Sequence, residues 1–205
     1  MIRHLKTWLG QRQLRDPAFA FLFAPAPADE WVSIDCETSS LNPKQAEILS
    51  IAAVIVRGNT IVKSTSRQWL VKPSGQIDPK TIPIHGLRQQ DVTHGLTLHE
   101  ALSELLQFMG SRAIVGYYLE FDLAVINRQL KPWLGIDLPN QAIDVSALYY
   151  DKKVSAYRPD VDLSLTTILK ELGLPILPRH DPMNDALTAA MIFLKLNNRV
   201  SIRRG

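Results

Sequence analysis

The residues best suited to chemistry in this chain are acids placed where a strand should end. Trp31-Val32-Ser33-Ile34 is a strand-forming run, and Asp35-Cys36-Glu37-Thr38 follows it directly. Side chains alternate between the two faces of a strand, so Asp35 and Glu37 share one face while Cys36 takes the other. Two adjacent carboxylates repel each other and call for a cation, and all-oxygen ligation favours Mg²⁺ or Mn²⁺. A polar strand end with both acids idle in solvent is the alternative that this stretch alone leaves open. Three further acids lie near predicted strand ends and helix starts. Asp122 follows a short apolar run, Asp144 lies in another, and Asp185 falls in the first turn of the last helix, five residues after His180. Ligands of open α/β sheets collect at strand ends and helix starts, so Asp35, Glu37, Asp122 and Asp185 are expected to face one cleft. Two divalent ions there would support an in-line displacement at phosphorus, with His180 as the general base. Asp144 is expected to cap or orient, and Cys36, which lacks an activating neighbour, to belong to the core. His4, His94 and His99 are expected at the surface.

The elements that must position these residues follow from periodicity and turn chemistry. Ile2, Leu5 and Leu9 recur at helical spacing and predict an amphipathic helix over 2–14, with Phe19, Phe21 and Phe23 packing beside it. A strand over 31–37 is followed by β-rich runs at 48–57 and 60–71, joined at Gly58-Asn59 as an antiparallel hairpin. The stretch 73–83 reads as loop. Leu98 to Met109 predicts a helix capped by Thr97 and ended by Gly110. A buried strand over 113–117 leads into a helix carrying Phe121, Val125, Ile126 and Leu130. A short strand over 142–145, a helix over 163–172 and a final helix opening near Pro182 complete the pattern. The expected class is α/β: a mixed central sheet with an antiparallel hairpin, flanked by helices, plus an N-terminal helical extension. The expected division is 1–28 for that extension, 29–198 for the main domain and 199–205 for a basic C-terminal tail.

Composition narrows the partners. The chain has 205 residues, 46% of them hydrophobic, enough for one well-filled core. It holds a single cysteine, which excludes an internal disulfide framework and suits a reducing, cytoplasmic compartment. No apolar run reaches the length of about eighteen residues that a membrane-spanning helix needs. The N-terminal AFAFLFA run followed by APAPA imitates a secretory signal, but the run is short and adjoins Pro17, so it is read as mature protein. Net charge is only +3, yet the basic residues gather at both ends around an acidic middle. That distribution suits a polyanion held at its phosphates while carboxylates act on it.

Three ordered motifs carry a family resemblance. D-x-E-T at Asp35, Glu37 and Thr38, G-x4-F-D ending at Phe121-Asp122, and H-x4-D from His180 to Asp185 together resemble the DEDDh, or DnaQ-like, 3′→5′ exonucleases. That family includes the proofreading epsilon subunit of bacterial replicative DNA polymerase, oligoribonuclease and ribonuclease T. Ile84-His85-Gly86, Asp91-Val92 and Asp144-Val145 add to the likeness, which covers roughly residues 31–196. The resemblance implies an RNase H-like fold and a phosphodiesterase using two divalent cations, Mg²⁺ or Mn²⁺. It further implies that Asp35, Glu37 and Asp185 hold one cation, with Asp35 bridging to a second supported by Asp122. His180 would take the proton from water, Thr38 and Leu41 would meet the 3′-terminal nucleotide, and His85 would lie beside the substrate. This chain departs at Ser39-Ser40, where many relatives read Thr-Gly, and at Tyr117-Tyr118, where they often read His-Asn. Two tyrosines there either remove a hydrogen bond near the cations or supply Tyr118 as a stacking surface for bases. The implied activity is release of 5′-mononucleotides from 3′ ends of single-stranded or overhanging DNA. DNA is favoured over RNA because the Ile84–Gly86 and Asp91-Val92 stretch is closer to the epsilon branch. RNA 3′ ends are the alternative substrate, and a DNA polymerase-associated binding subunit is the alternative of another class.

Overall fold

The computed structural model describes residues 9–77, 79–153, 160–179 and 181–197, with the backbone alone for Ile84 and His85. Its organising element is a five-stranded mixed sheet in the order β3-β2-β1-β4-β5. Strands β1 (Glu30–Thr38), β2 (Ile48–Arg57) and β3 (Thr60–Leu70) are antiparallel, and the β2–β3 hairpin turns at Gly58, whose φ of 54° a side chain would resist. Strands β4 (Ala113–Gly116) and β5 (Ala142–Asp144) run parallel to β1, so all three end at the same edge of the sheet. β2 is buried at every position except Arg57. Its near-continuous apolar sequence is what a central strand covered on both faces requires.

Helices cover each face. α1 (Leu98–Met109) opens on a reciprocal cap between Thr97 and Glu100, and α2 (Leu119–Leu134) ends at Gly135, φ 77°. Both pack against Val32, Ile34 and Cys36 of β1. On the other face α3 (Val145–Lys153), α4 (Leu165–Leu172) and α5 (Pro182–Asn197) enclose Val54, Val56 and Val115. The strand over 31–37, the hairpin, the Thr97 cap and the helix start at Pro182 all appear where the sequence puts them. α3 does not follow from the pattern: the run VSALYYDKK shows no sustained apolar stripe. Its first turn is set instead by Asp144, whose Oδ1 accepts the N–H groups of Ser146 (2.8 Å) and Ala147 (3.3 Å). The segment expected as loop over 73–83 also begins a single helical turn, Ile82–His85.

The N-terminal segment is part of the same packing. Residues 9–13 are helical, and the remainder of the helix expected over 2–14 lies outside the described residues. A 3-10 helix, Pro17–Phe23, inserts Phe19 and Leu22 into the core cluster, Phe19 meeting Trp133 edge-on at 5.1 Å. Arg15 donates its backbone N–H to Leu134 O at 2.9 Å and its guanidinium to Pro132 O. Gly135 is needed there twice over, since a Cβ would lie 2.5 Å from Gln13 O. Among the described residues no helix is long and apolar enough to cross a membrane. The basic tail over 199–205 lies outside them.

Candidate active site

β1 presents its acids to α5 because the residues before them already face that helix. Trp31 packs on Phe193 at 5.0 Å, and the Ser33 hydroxyl, fully buried, donates to Ala186 O at 2.7 Å. Strand alternation then carries Asp35 and Glu37 to the same side, at the level of the first turn of α5. Asp185 precedes the pinned Ala186 and completes the group. Carboxylate oxygens of Asp35, Glu37 and Asp185 all lie within 4.8 Å of one another. Directly after Glu37 the β1–β2 register slips, with Glu37 opposite Ser50 and Thr38 opposite Ile48. This bulge ends the regular ladder at the acids.

Asp122 arrives from the other face. It sits in the first turn of α2, is 5% exposed, and acts on the Cys36 thiol, which burial first and then Asp122 push well above its usual value. β4 makes this approach possible by stopping short: it pairs only with Trp31 to Ser33, and α2 starts beside the free stretch of β1. Gly116 holds that junction close, because a Cβ there would lie 2.7 Å from Leu119 Cδ1 and 3.3 Å from Ile34 O. Leu119 is fully buried and has little room to yield. Gly116→Ala is therefore expected to cost about 1–3 kcal/mol of stability by overpacking and to displace Asp122. Denaturant unfolding together with a Mn²⁺ titration would register both effects, and an unchanged midpoint and affinity would contradict this reading of the junction.

Electrostatics sets what the cluster can do. Burial, then Asp122, Asp185, Glu37 and Asp181, push Asp35 well above the carboxylate range. Burial followed by Asp185 and Asp181 raises Glu37 to about 7, and burial followed by Glu37 and Asp144 raises Asp122 well above its usual value. These three carboxyls and Asp185 cannot all ionise beside one another without positive charge between them. The donor set is entirely carboxylate oxygen, which fits a hard divalent cation.

Other candidates from the sequence fall in different places. Asp144 spends its oxygens structurally: Oδ2 accepts the Leu119 N–H at 2.8 Å and Oδ1 the Ser146 N–H, tying the starts of α2 and α3 to β5. Cys36 is buried in the core, as expected, and His99 is exposed against the Trp133 ring. Thr38 is buried, its hydroxyl donating to Ser40 O at 2.9 Å, whereas Leu41 stands 71% exposed at the tip of the turn. Tyr118 is exposed at the start of α2. His180 lies outside the described residues, as does the side chain of His85. The acid that the sequence reading passed over is Asp181. Its Oδ1 accepts the Asn184 N–H at 2.9 Å, capping α5, and its charge acts on both Asp35 and Glu37. The signal was present, since an acid directly before Pro182 is a helix-start pattern.

Comparison with known proteins gives this arrangement a setting. The family model described as Exonuclease (RNase_T) matches residues 32–193. A PolC-type DNA polymerase III of Thermotoga maritima is 31% identical over 166 residues, 80% of this chain and 12% of that protein. The DNA polymerase III subunit epsilon of Aquifex aeolicus is 27% identical over 175 residues, covering 85% of this chain and 84% of the subunit. Among solved structures, the zinc-bound E. coli exonuclease I–ssDNA complex superimposes with a TM-score of 0.69 at 17% identity, over 85% of this chain and 41% of that one. Cell-death related nuclease 4 does so with a TM-score of 0.66 at 18% identity, over 84% and 65%. These likenesses identify the fold as that of the RNase H-like exonucleases. The chain spans about an eighth of the length of the PolC-type relatives it matches.

Proposed function

We propose, from the premise that this chain belongs to the exonuclease family and is DnaQ-like within it, that it hydrolyses single-stranded or overhanging DNA from the 3′ end. The product would be 5′-mononucleotides. The observation that carries this reading is the meeting of Asp35, Glu37 and Asp185 oxygens within 4.8 Å, at the strand-end edge where Asp122 arrives from the opposite face. Asp35, Glu37 and Asp185 would hold one divalent cation and Asp35 with Asp122 a second, Mg²⁺ or Mn²⁺, which when bound would acidify water and stabilise the leaving oxygen. Glu37 and Asp35, raised first by burial and then by their acidic neighbours, would be held ionised by a bound cation and would then form anionic walls of the site. Ser33 keeps α5 at the distance that lets Asp185 join them. His180, five residues before Asp185 in the sequence, is assigned the proton from the attacking water. Leu41, exposed beside the acids in sequence, is assigned the terminal base, Thr38 the terminal sugar, and His85 the flank of the substrate.

DNA is the proposed substrate class because the relatives are named as DNA polymerase III components and exonuclease I is seen with ssDNA. On the same ground the protein is assigned to the cytoplasm, where association with a polymerase would take place. Residues 29–198 would carry the chemistry, with 1–28 as an N-terminal helical extension, of which Arg15 and Phe19 meet α2, and 199–205 as a basic tail. Incubation of 5′-labelled 3′-overhang DNA and matched RNA with the protein should give stepwise shortening in Mg²⁺ or Mn²⁺ that chelator abolishes. DNA should be shortened faster. An intact ladder for both strands under both cations would remove the proposal.

A further inference from the structure

A second feature occupies the same edge of the sheet as the acids. Between the start of α2 and α3 lies an apolar cleft of about 930 Å³, lined by Tyr118, Leu119, Leu123, Ala147, Tyr150 and Leu163 among others. Asp144, the last residue of β5, is in its wall, and its charge reaches Asp122. Tyr118 directly precedes α2, and Asp122 lies in that helix's first turn. A strand whose 3′ end sits among the acids therefore has this cleft within reach of its next nucleotides.

Tyr118 is held in an unusual way at the cleft mouth. Its backbone is left-handed, φ 50° and ψ 39°, and the side chain is 54% exposed. Among the described residues only Asp29 shares a positive φ without being glycine. Asparagine adopts that conformation readily, whereas a large aromatic does so at a cost. The ring rests on Tyr117 at 4.5 Å, and Tyr117 is anchored by donating its hydroxyl to Leu163 O at 2.9 Å. The Tyr118 ring is thus an exposed platform on a fixed support, held there in spite of backbone strain. The cleft also contains Glu120 and Asp151, whose charges turn phosphates outward and admit a neutral, flat group.

Resting on the exonuclease reading, we propose that this cleft is a subsite for an unpaired base upstream of the 3′-terminal nucleotide, stacked on Tyr118. A base still paired in a duplex cannot turn into the cleft, so the subsite makes an unpaired 3′ segment a condition of tight binding. Every base has a face to stack, so the preference is for single-strandedness and not for sequence.

The test compares Tyr118→Asn, Tyr118→Trp and the unaltered protein on single strands, intact or with one abasic position second or third from the 3′ end. Asparagine removes the strain along with the ring, so the folded variant is expected to melt no lower than the parent. Its KM on intact strands should rise about tenfold with kcat nearly unchanged. The abasic strand should show the same rise with the unaltered protein and no further rise with Tyr118→Asn, and Tyr118→Trp should keep the parent KM. An unchanged KM for Tyr118→Asn, or an equal loss on intact and abasic strands, would overturn the subsite while leaving the exonuclease reading in place. Absence of shortening by the unaltered protein would instead strike at that reading, and the subsite would fall with it.

Discussion

Asp35→Asn is expected to slow 3′-end shortening by on the order of 10³- to 10⁴-fold while making the metal-free protein harder to melt. The two effects share one cause. Asp35 is ringed by Asp122, Asp185 and Glu37, and burial together with these charges holds its carboxyl well above the usual range. Replacing it by a neutral amide of the same shape relieves that repulsion, so the unfolding midpoint in chelator rises. With cations present the same change removes the acid proposed to bridge them. Cations at such a site supply several kcal/mol of transition-state stabilisation, and each 1.36 kcal/mol is tenfold in rate, so losing about 5 kcal/mol gives the drop stated. Initial rates on a 5′-labelled strand and melting curves in chelator, run on the same preparations, check both halves. A variant with near-parent activity would remove Asp35 from the chemistry. One that melts earlier in chelator would show that its charge is not a burden on the fold.

Without cations, the protein is expected to lose stability as the pH rises from 5 to 8, and Mg²⁺ should abolish that loss. For Glu37 the sign follows from proton counts. In the unfolded chain Glu37 ionises near its ordinary value of 4.5, and in the folded protein near 7. Between those values the folded state holds the proton that the unfolded state has released, so raising the pH favours unfolding. At 1.36 kcal/mol per pH unit this single group would withdraw about 3 kcal/mol across the interval. Asp35 and Asp122, raised in the same direction, add to the loss. A bound cation stabilises the ionised forms, returns the folded values downward, and adds its own binding free energy to the folded state. The measurement is the melting temperature at pH 5, 6, 7 and 8 in chelator and in Mg²⁺. Curves that coincide in the two conditions, or a metal-free protein that gains stability above pH 6, would contradict the account.

Much of this protein is legible in its sequence. Period-two alternation put Asp35 and Glu37 on one face and Cys36 on the other, and Ser33 and Trp31 confirm that face by meeting α5. Gly58, Thr97, Gly110 and Pro182 marked turns and helix ends because each answers a local backbone need that no distant residue can change. The order of the acid motifs was enough to name the family. α3 was not legible, since its helix is started by Asp144 and buried by the sheet and not by a stripe of its own. The docking of the N-terminal segment on Trp133 and Gly135 depends on residues more than a hundred positions away. The same holds for the site itself. Local sequence determined which acids exist and which way those on β1 point. Only the tertiary fold decided that β4 stops early enough for Asp122 to come round the strand, and that a Ser33–Ala186 bond sets Asp185 beside Asp35 and Glu37. Alternation and capping act over a few residues, whereas convergence of charges from two faces of a sheet is a property of packing.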